Sequence, residues 1–258
     1  MGDARLEAGS HYLERIRKRI DEAAETDYVM PVWLPFLPLT IFLLILFVLF
    51  PLRVASYWMD SMGHHGFLRL FVFTSVLFAV LSIAGVVLGL YILYKLIKRR
   101  NDHLRRARRL WEAVTSFLEA KGFTGERSYR LKELVDEMKD EEWERSPVLW
   151  IILTLLFPPV VFYIYHFLNK DFRRHEAQEA RYYSILVTVL SGRVSVSRMP
   201  EFERAVPERS TVLYLVLTLL TLGLFSLYWV YTLADDPNRH FMQHKRLERE
   251  LLSVLEHL

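Results

Sequence analysis

The sequence contains no cysteine. Disulfides and thiolate-bound metals are thereby excluded. Side-chain amides are nearly as scarce, with Asn101, Asn169, Asn238, Gln178 and Gln243 the whole set. Scarce amides beside abundant Arg and Glu give a thermophile-like composition. The sequence has no G-x-x-x-x-G-K-[ST], no G-x-S-x-G and no H-E-x-x-H, so the commonest phosphate-binding, nucleophile and zinc-protease patterns are missing. A net charge of +3 is too weak for a nucleic-acid partner, and no interleaving of aromatic and basic residues points to one. Residues 1–29 are charged and helical in pattern, unlike a signal peptide, and Leu6 stands where a myristoylation motif needs Ser or Thr.

Charge is also missing from four long runs. Segments 31–52, 70–94, 147–165 and 210–233 hold no Asp, Glu, Lys, Arg or His, and each approaches the ~20 apolar residues that span a bilayer. Their interiors offer only hydroxyls such as Thr40, Ser75, Ser82, Thr154, Thr218, Thr221 and Ser226, which usually bond their own helix backbone. The charged partners that pumps and ion-coupled transporters place inside their spans are lacking. The expectation is an all-α integral membrane protein with four transmembrane helices. Lys and Arg are concentrated in 1–29, 97–146 and 235–258, which places both termini in the cytoplasm. Segment 169–209 is basic for an outer loop. Pro158-Pro159 breaks the third apolar run; a kinked full span is the main reading, and a re-entrant hairpin is the alternative that would explain that loop.

The chain also repeats itself. Residues 74–119 align without gaps on 211–256, bringing Tyr91 onto Tyr228, Tyr94 onto Tyr231, Asn101 onto Asn238, His103 onto His240, Arg109 onto Arg246 and Glu119 onto Glu256. Leu49-Phe50-Pro51 parallels Leu156-Phe157-Pro158. Each half reads as amphipathic helix, span, span, amphipathic helix, so the halves form a parallel duplicated two-span unit. The expected organisation is a cytoplasmic helix at 1–29, spans 1 and 2 within 30–96, and a cytoplasmic helical hairpin at 97–146. Span 3 follows at 147–168, a helical insertion and linker at 169–209, span 4 at 210–234, and a cytoplasmic helix at 235–258.

Gly223-Leu-Phe-Ser-Leu-Tyr228-Trp229-Val-Tyr231, followed by Asn238 and His240, resembles the Gly-x-Tyr-x-x-Tyr-Trp-x-Tyr signature of small prokaryotic multi-span membrane proteins classed as a domain of unknown function. Gly89-Leu-Tyr91-Ile-Leu-Tyr94 resembles it without the Trp. The resemblance covers mainly spans 2 and 4, and implies a membrane location with no activity.

Most candidate groups have structural readings. The tyrosines and Trp229 suit a headgroup belt. Asn101/His103 and Asn238/His240, the latter beside Pro237, read as elbows where a membrane helix meets a cytoplasmic one; a role for the histidines in sensing headgroups or pH is the sharper alternative. The basic run 98–109 can face anionic headgroups or pair with the acidic run 136–144. Asp60, His64 and His65 in the outer loop are the weak candidates for a metal site, so no cofactor is expected.

Leu110, Val114 and Phe117, and in the other half Leu247, Leu251 and Val254, run at coiled-coil spacing. With the apolar faces at 11–24 and 129–143 they should form one cytoplasmic bundle. The leading expectation for function is a non-catalytic membrane scaffold or accessory subunit, not an enzyme, whose partners are lipids and its own copies or another membrane protein. A homo-oligomeric channel with a pore between subunits is the second reading, and a membrane metalloenzyme the third.

Overall fold

The computed structural model describes residues 2–63, 67–194 and 199–258, with side chains from Gly9 onward, and these are all-helical. His64 and His65 lie outside the described residues. The chain divides into two units, Pro31–Lys95 and a larger one built from Met1–Met30 and Leu96–Leu258. The ten α-helices among the described residues are numbered in chain order.

The smaller unit begins with a 3-10 turn at Leu34–Phe36, then α3 (Leu37–Leu44), a π-helical turn at Ile45–Leu49, and α4 (Phe50–Ser61). Pro51 has no N–H and its ring crowds the carbonyl one turn back, so the widened turn falls just ahead of it. The first part of α5 (Phe67–Ala120) completes the unit. Asp60 accepts the Leu68 backbone N–H at 3.2 Å, which makes it a cap for the start of α5.

The helical stretches Leu34–Ser61 and Phe67–Ala120 are each long and apolar enough to cross a membrane. Only 17% and 11% of their most apolar windows are buried, whereas the core helix of a soluble protein is mostly buried. Phe42, Phe47, Phe73, Val76 and Ile83 stand exposed along them, an apolar area that water tolerates poorly.

The larger unit is a bundle of α1 (Gly2–Asp21), the second part of α5, α6 (Glu126–Glu141), α8 (Val160–Leu190) and α10 (Phe225–Leu255). Gly122, at φ 80°, provides the left-handed turn between α5 and α6 that a side chain would resist. Ile16 of α1 packs with Leu110, Val114 and Phe117 of α5, with Leu131, Leu134, Val135 and Met138 of α6, and with Leu247 and Leu251 of α10. Two details differ from the periodicity. Leu255, not Val254, completes the α10 stripe in this cluster, and α8 contributes Tyr182, Tyr183, Leu186 and Leu190 from the segment expected to be an insertion.

The third and fourth apolar runs do not form continuous spans. α7 (Pro147–Leu156) ends at Phe157, and after Pro158-Pro159 the chain turns back, so that Trp150 packs on Tyr163 and Phe167 of α8 at 5.4 and 5.2 Å between ring centroids. Pro158 and Pro159 withhold two N–H donors in succession, and the helix cannot continue through them. α9 (Thr211–Leu220) repeats the plan. Leu222 and Gly223 take φ of 51° and 94°, and Tyr214 then meets Phe225, Tyr228 and Trp229 of α10. Both short helices start on a serine, Ser146 and Ser210, whose hydroxyl accepts the N–H three residues on. The expected kinked third span and uninterrupted fourth span are thus two helical hairpins.

The expected elbows are absent too. Asn101 and His103 lie in the middle of α5, and Asn238 and His240 in the middle of α10, which continues through Pro237.

Candidate metal centre

The two asparagines do the same work at separate places. Asn101 accepts the Arg145 N–H at 3.2 Å and donates to the Arg145 carbonyl at 2.7 Å. Asn238 accepts the Met30 N–H at 2.9 Å and donates to the Met30 carbonyl at 2.7 Å. Each fixes the chain just ahead of an apolar helix. On α8 the corresponding job falls to Glu176, whose carboxylate accepts the Ala205 and Val206 N–H groups upstream of α9. A second parallel links α8 and α10. Asp171 takes the guanidinium of Arg145 at 2.9 Å, Asp236 takes that of Arg209 at 2.8 Å, and a histidine follows each aspartate by one turn.

These fixings bring His103 of α5, His175 of α8, and His240 and His244 of α10 into one buried cluster. One nitrogen from each lies within 4.8 Å of the others, and none of the four residues is more than 2% exposed. Every Nδ1 faces a carboxylate: His103 Nδ1 is 3.1 Å from Asp27, His175 Nδ1 is 2.6 Å from Glu142, His240 Nδ1 is 3.3 Å from Glu176, and His244 Nδ1 is 3.2 Å from Glu248. A carboxylate on Nδ1 orients an imidazole and leaves the Nε2 lone pair for something else. The Nε2 atoms turn inward. Those of His103 and His240 are 3.1 Å apart.

The Glu179 carboxylate sits among the inward nitrogens. It lies 2.6 Å from His244 Nε2 and 3.2 Å from His175 Nε2, and also accepts the Trp111 indole N–H at 2.8 Å. His175 Nε2 has no aligned hydrogen bond despite being buried. Arg106 lies behind the cluster, bridging Asp27 at 2.7 Å and Glu248 at 2.8 Å.

The electrostatics divide the histidines in two. Burial lowers His103 well below the usual imidazole value and, with His244 nearby, brings His240 down to about 4. Burial acts in the same sense on the other two, but carboxylates outweigh it: Glu179 and Glu142 push His175 up to about 10, and Glu179 and Glu248 push His244 up to about 9. Burial disfavours charge on Glu179, yet His175 and His244 hold it well below the ordinary carboxylate range. The side chains alone therefore call for positive charge at the centre, in the form of protons or a cation.

The residues fit a metal ion. Four imidazoles with outward Nδ1 partners, one inward carboxylate and an unpartnered Nε2 form a donor set of the kind that first-row transition metals prefer. Trp229 of the span-end motif is buried against Phe162, Tyr165 and Tyr214, while Tyr91, Tyr228 and Tyr231 are exposed and Tyr94 is half-buried. None of the five belongs to the cluster. Within the basic run at 98–109, Arg99, Arg100 and Arg106 are buried, and on its outer side Arg105 makes the expected acidic pairing with Glu144 at 3.0 Å.

Fold and site together define an all-helical protein with exposed apolar helices and a buried, histidine-rich centre. Residues 209–255, which cover α9 and α10, match DUF4234, a domain of unknown function. No curated protein and no solved structure matches the chain.

Proposed function

We propose that this chain is a membrane-anchored scaffold whose helical bundle is stapled by one divalent first-row transition-metal ion. His103, His175, His240 and His244 would bind it through Nε2, with Glu179 as a fifth donor. The observation that carries the reading is the 3.1 Å approach of His103 Nε2 to His240 Nε2 while each Nδ1 faces a carboxylate. Such a contact needs a proton or a metal ion between the two nitrogens, and the four imidazoles converging there favour the metal. Imidazole suits zinc, copper, iron and nickel, and the absence of thiolate removes the softest alternatives. The ligands are closed off from solvent, which favours a holding role over turnover of a substrate, in keeping with a scaffold rather than an enzyme. Inductively coupled plasma mass spectrometry on detergent-purified protein should find about one equivalent of such a metal per chain, as in a single-site metalloprotein. His103→Ala and His240→Ala should each weaken retention of the metal against a competing chelator, by at least ~10-fold in affinity, because losing even a second-shell partner costs 10–100-fold. Full retention in both variants would remove the centre.

The membrane arrangement that we infer has two crossings, 31–61 and 67–94, and two hairpins, α7–α8 and α9–α10, dipping in from the cytoplasmic side. The fold-back of Trp150 and Tyr214 supports it. So does charge: the basic segment 169–209 then shares a side with the termini and the α5–α6 turn, as the bias of Lys and Arg toward the cytoplasm requires. The parallel roles of Asn101 and Asn238, and of Asp171 and Asp236, support an internal repeat with three members, headed by His103, His175 and His240. Single cysteines placed in this cysteine-free chain test the topology. Residues 120, 204 and 258 should all react with an impermeant thiol reagent only from the cytoplasmic side, and residue 62 only from outside. Labelling of 204 from outside would restore a full third span.

A further inference from the structure

Of the three histidines that head the parallel segments, two are preceded by one turn with an aspartate, Asp171 and Asp236. Ahead of His103 the same place holds Arg99, and the charge is inverted. Arg99 is only 3% exposed. Among the described residues no carboxylate lies within ion-pairing distance of it, unlike Arg100, Arg106, Arg145 and Arg209, which each hold one. Its terminal nitrogens donate to Asn238 Oδ1 at 3.1 Å and to the Leu233 and Ala234 carbonyls, all neutral acceptors. Its Nε has no partner.

Arg99 lines a small cavity of about 10 Å³, room for one atom-sized guest, with Asn169, Arg209, Thr232 and Asp236 among its polar neighbours. The Asn169 side-chain nitrogen is also buried without a partner. Asp236 does not compensate Arg99, because its two oxygens are taken by Arg209 and by Arg239 at 3.1 Å. Thr232 gives its hydroxyl to the Trp229 carbonyl. What the cavity leaves unused is therefore donor capacity: the Arg99 Nε–H and the Asn169 amide. Arg209 and Asp236 cancel, so the wall carries one net positive charge. A water molecule could accept from both donors but would leave the buried guanidinium uncompensated, a costly arrangement. Burial lowers the Arg99 pKa to about 9, against an opposing influence of Tyr28.

We infer that this cavity is a binding site for a small inorganic anion of the chloride class, held by Arg99 Nε and the Asn169 amide. The site is separate from the histidine cluster and stands whether or not that cluster binds metal.

The full chain in detergent tests it. At constant ionic strength, replacing gluconate by chloride should raise the thermal unfolding midpoint saturably, by about 5 °C if chloride reaches ~100-fold over its dissociation constant. Bromide should replace chloride, and crystals grown with bromide should show its anomalous scattering beside Arg99 Nε. Arg99→Met should abolish the chloride response. Asn169→Leu, which keeps the guanidinium and is the gentler change, should weaken it at least several-fold. An unfolding midpoint that does not respond to chloride in the unaltered protein, no bromide at Arg99, or a full response in Asn169→Leu and Arg99→Met, would each overturn the assignment.

Discussion

Treating the purified protein with a strong chelator should lower its thermal unfolding midpoint by about 8–16 °C, and returning the metal should restore it. The size follows from linkage. An ion present at ~1,000 times its dissociation constant stabilises the folded state by about 4 kcal/mol, and a protein of this length loses roughly 2–4 °C for each kcal/mol. Three helices distant in sequence, α5, α8 and α10, contribute ligands, so the folded chain alone presents the complete set. His175→Ala should be insensitive to both treatments, because it removes one of the four imidazoles that converge on the centre. Circular dichroism at rising temperature reads all of these states. An unaltered protein that ignores chelation would show that protons, not a metal, balance the centre.

Arg106→Met should destabilise the bundle by about 3–5 kcal/mol, the usual loss when one member of a buried ion pair is removed. Arg106 is 2% exposed and holds both Asp27 and Glu248. Asp27 in turn is held well below its ordinary pKa, where His103 and Arg106 outweigh the opposing effect of burial. Removing the guanidinium leaves two buried carboxylates behind two of the proposed ligands. Guanidinium unfolding in detergent measures the loss, with Arg130→Met as the control. Arg130 makes an exposed pair with Glu133, and its loss should hardly move the midpoint. Equal midpoints for the two variants would show that Arg106 is solvated in solution.

The amphipathic faces were legible from periodicity. Leu110, Val114, Phe117, Leu131, Leu134, Leu247 and Leu251 all enter one core because a spacing of three and four residues puts them on one side of a helix. Hydropathy also found every apolar segment. It could not distinguish a crossing from a hairpin, because both are apolar runs of similar length; the turn at 221–224 depends on backbone angles at Leu222 and Gly223. Matching Asn101 to Asn238 and His103 to His240 identified residues that share roles, but treating them as elbows missed that they face inward from continuous helices. The histidine cluster was missed for a related reason. Its ligands are dispersed over α5, α8 and α10, and only the i, i+4 pairs His175/Glu179 and His240/His244 leave a local signal. Attention to His64 and His65, adjacent but outside the described residues, passed over those pairs.

The asparagine and glutamate fixings also order events in time. Asn101 waits for residue 145, Glu176 for residues 205 and 206, and Asn238 reaches back to residue 30, near the beginning. The ring of attachments therefore closes only when α10 packs onto the segment ahead of the first apolar helix. His240 and His244 ride on that helix, so two of the four imidazoles are missing until α10 has been made. A ribosome-bound or truncated chain would hold a half-built centre and an unfastened N-terminal segment.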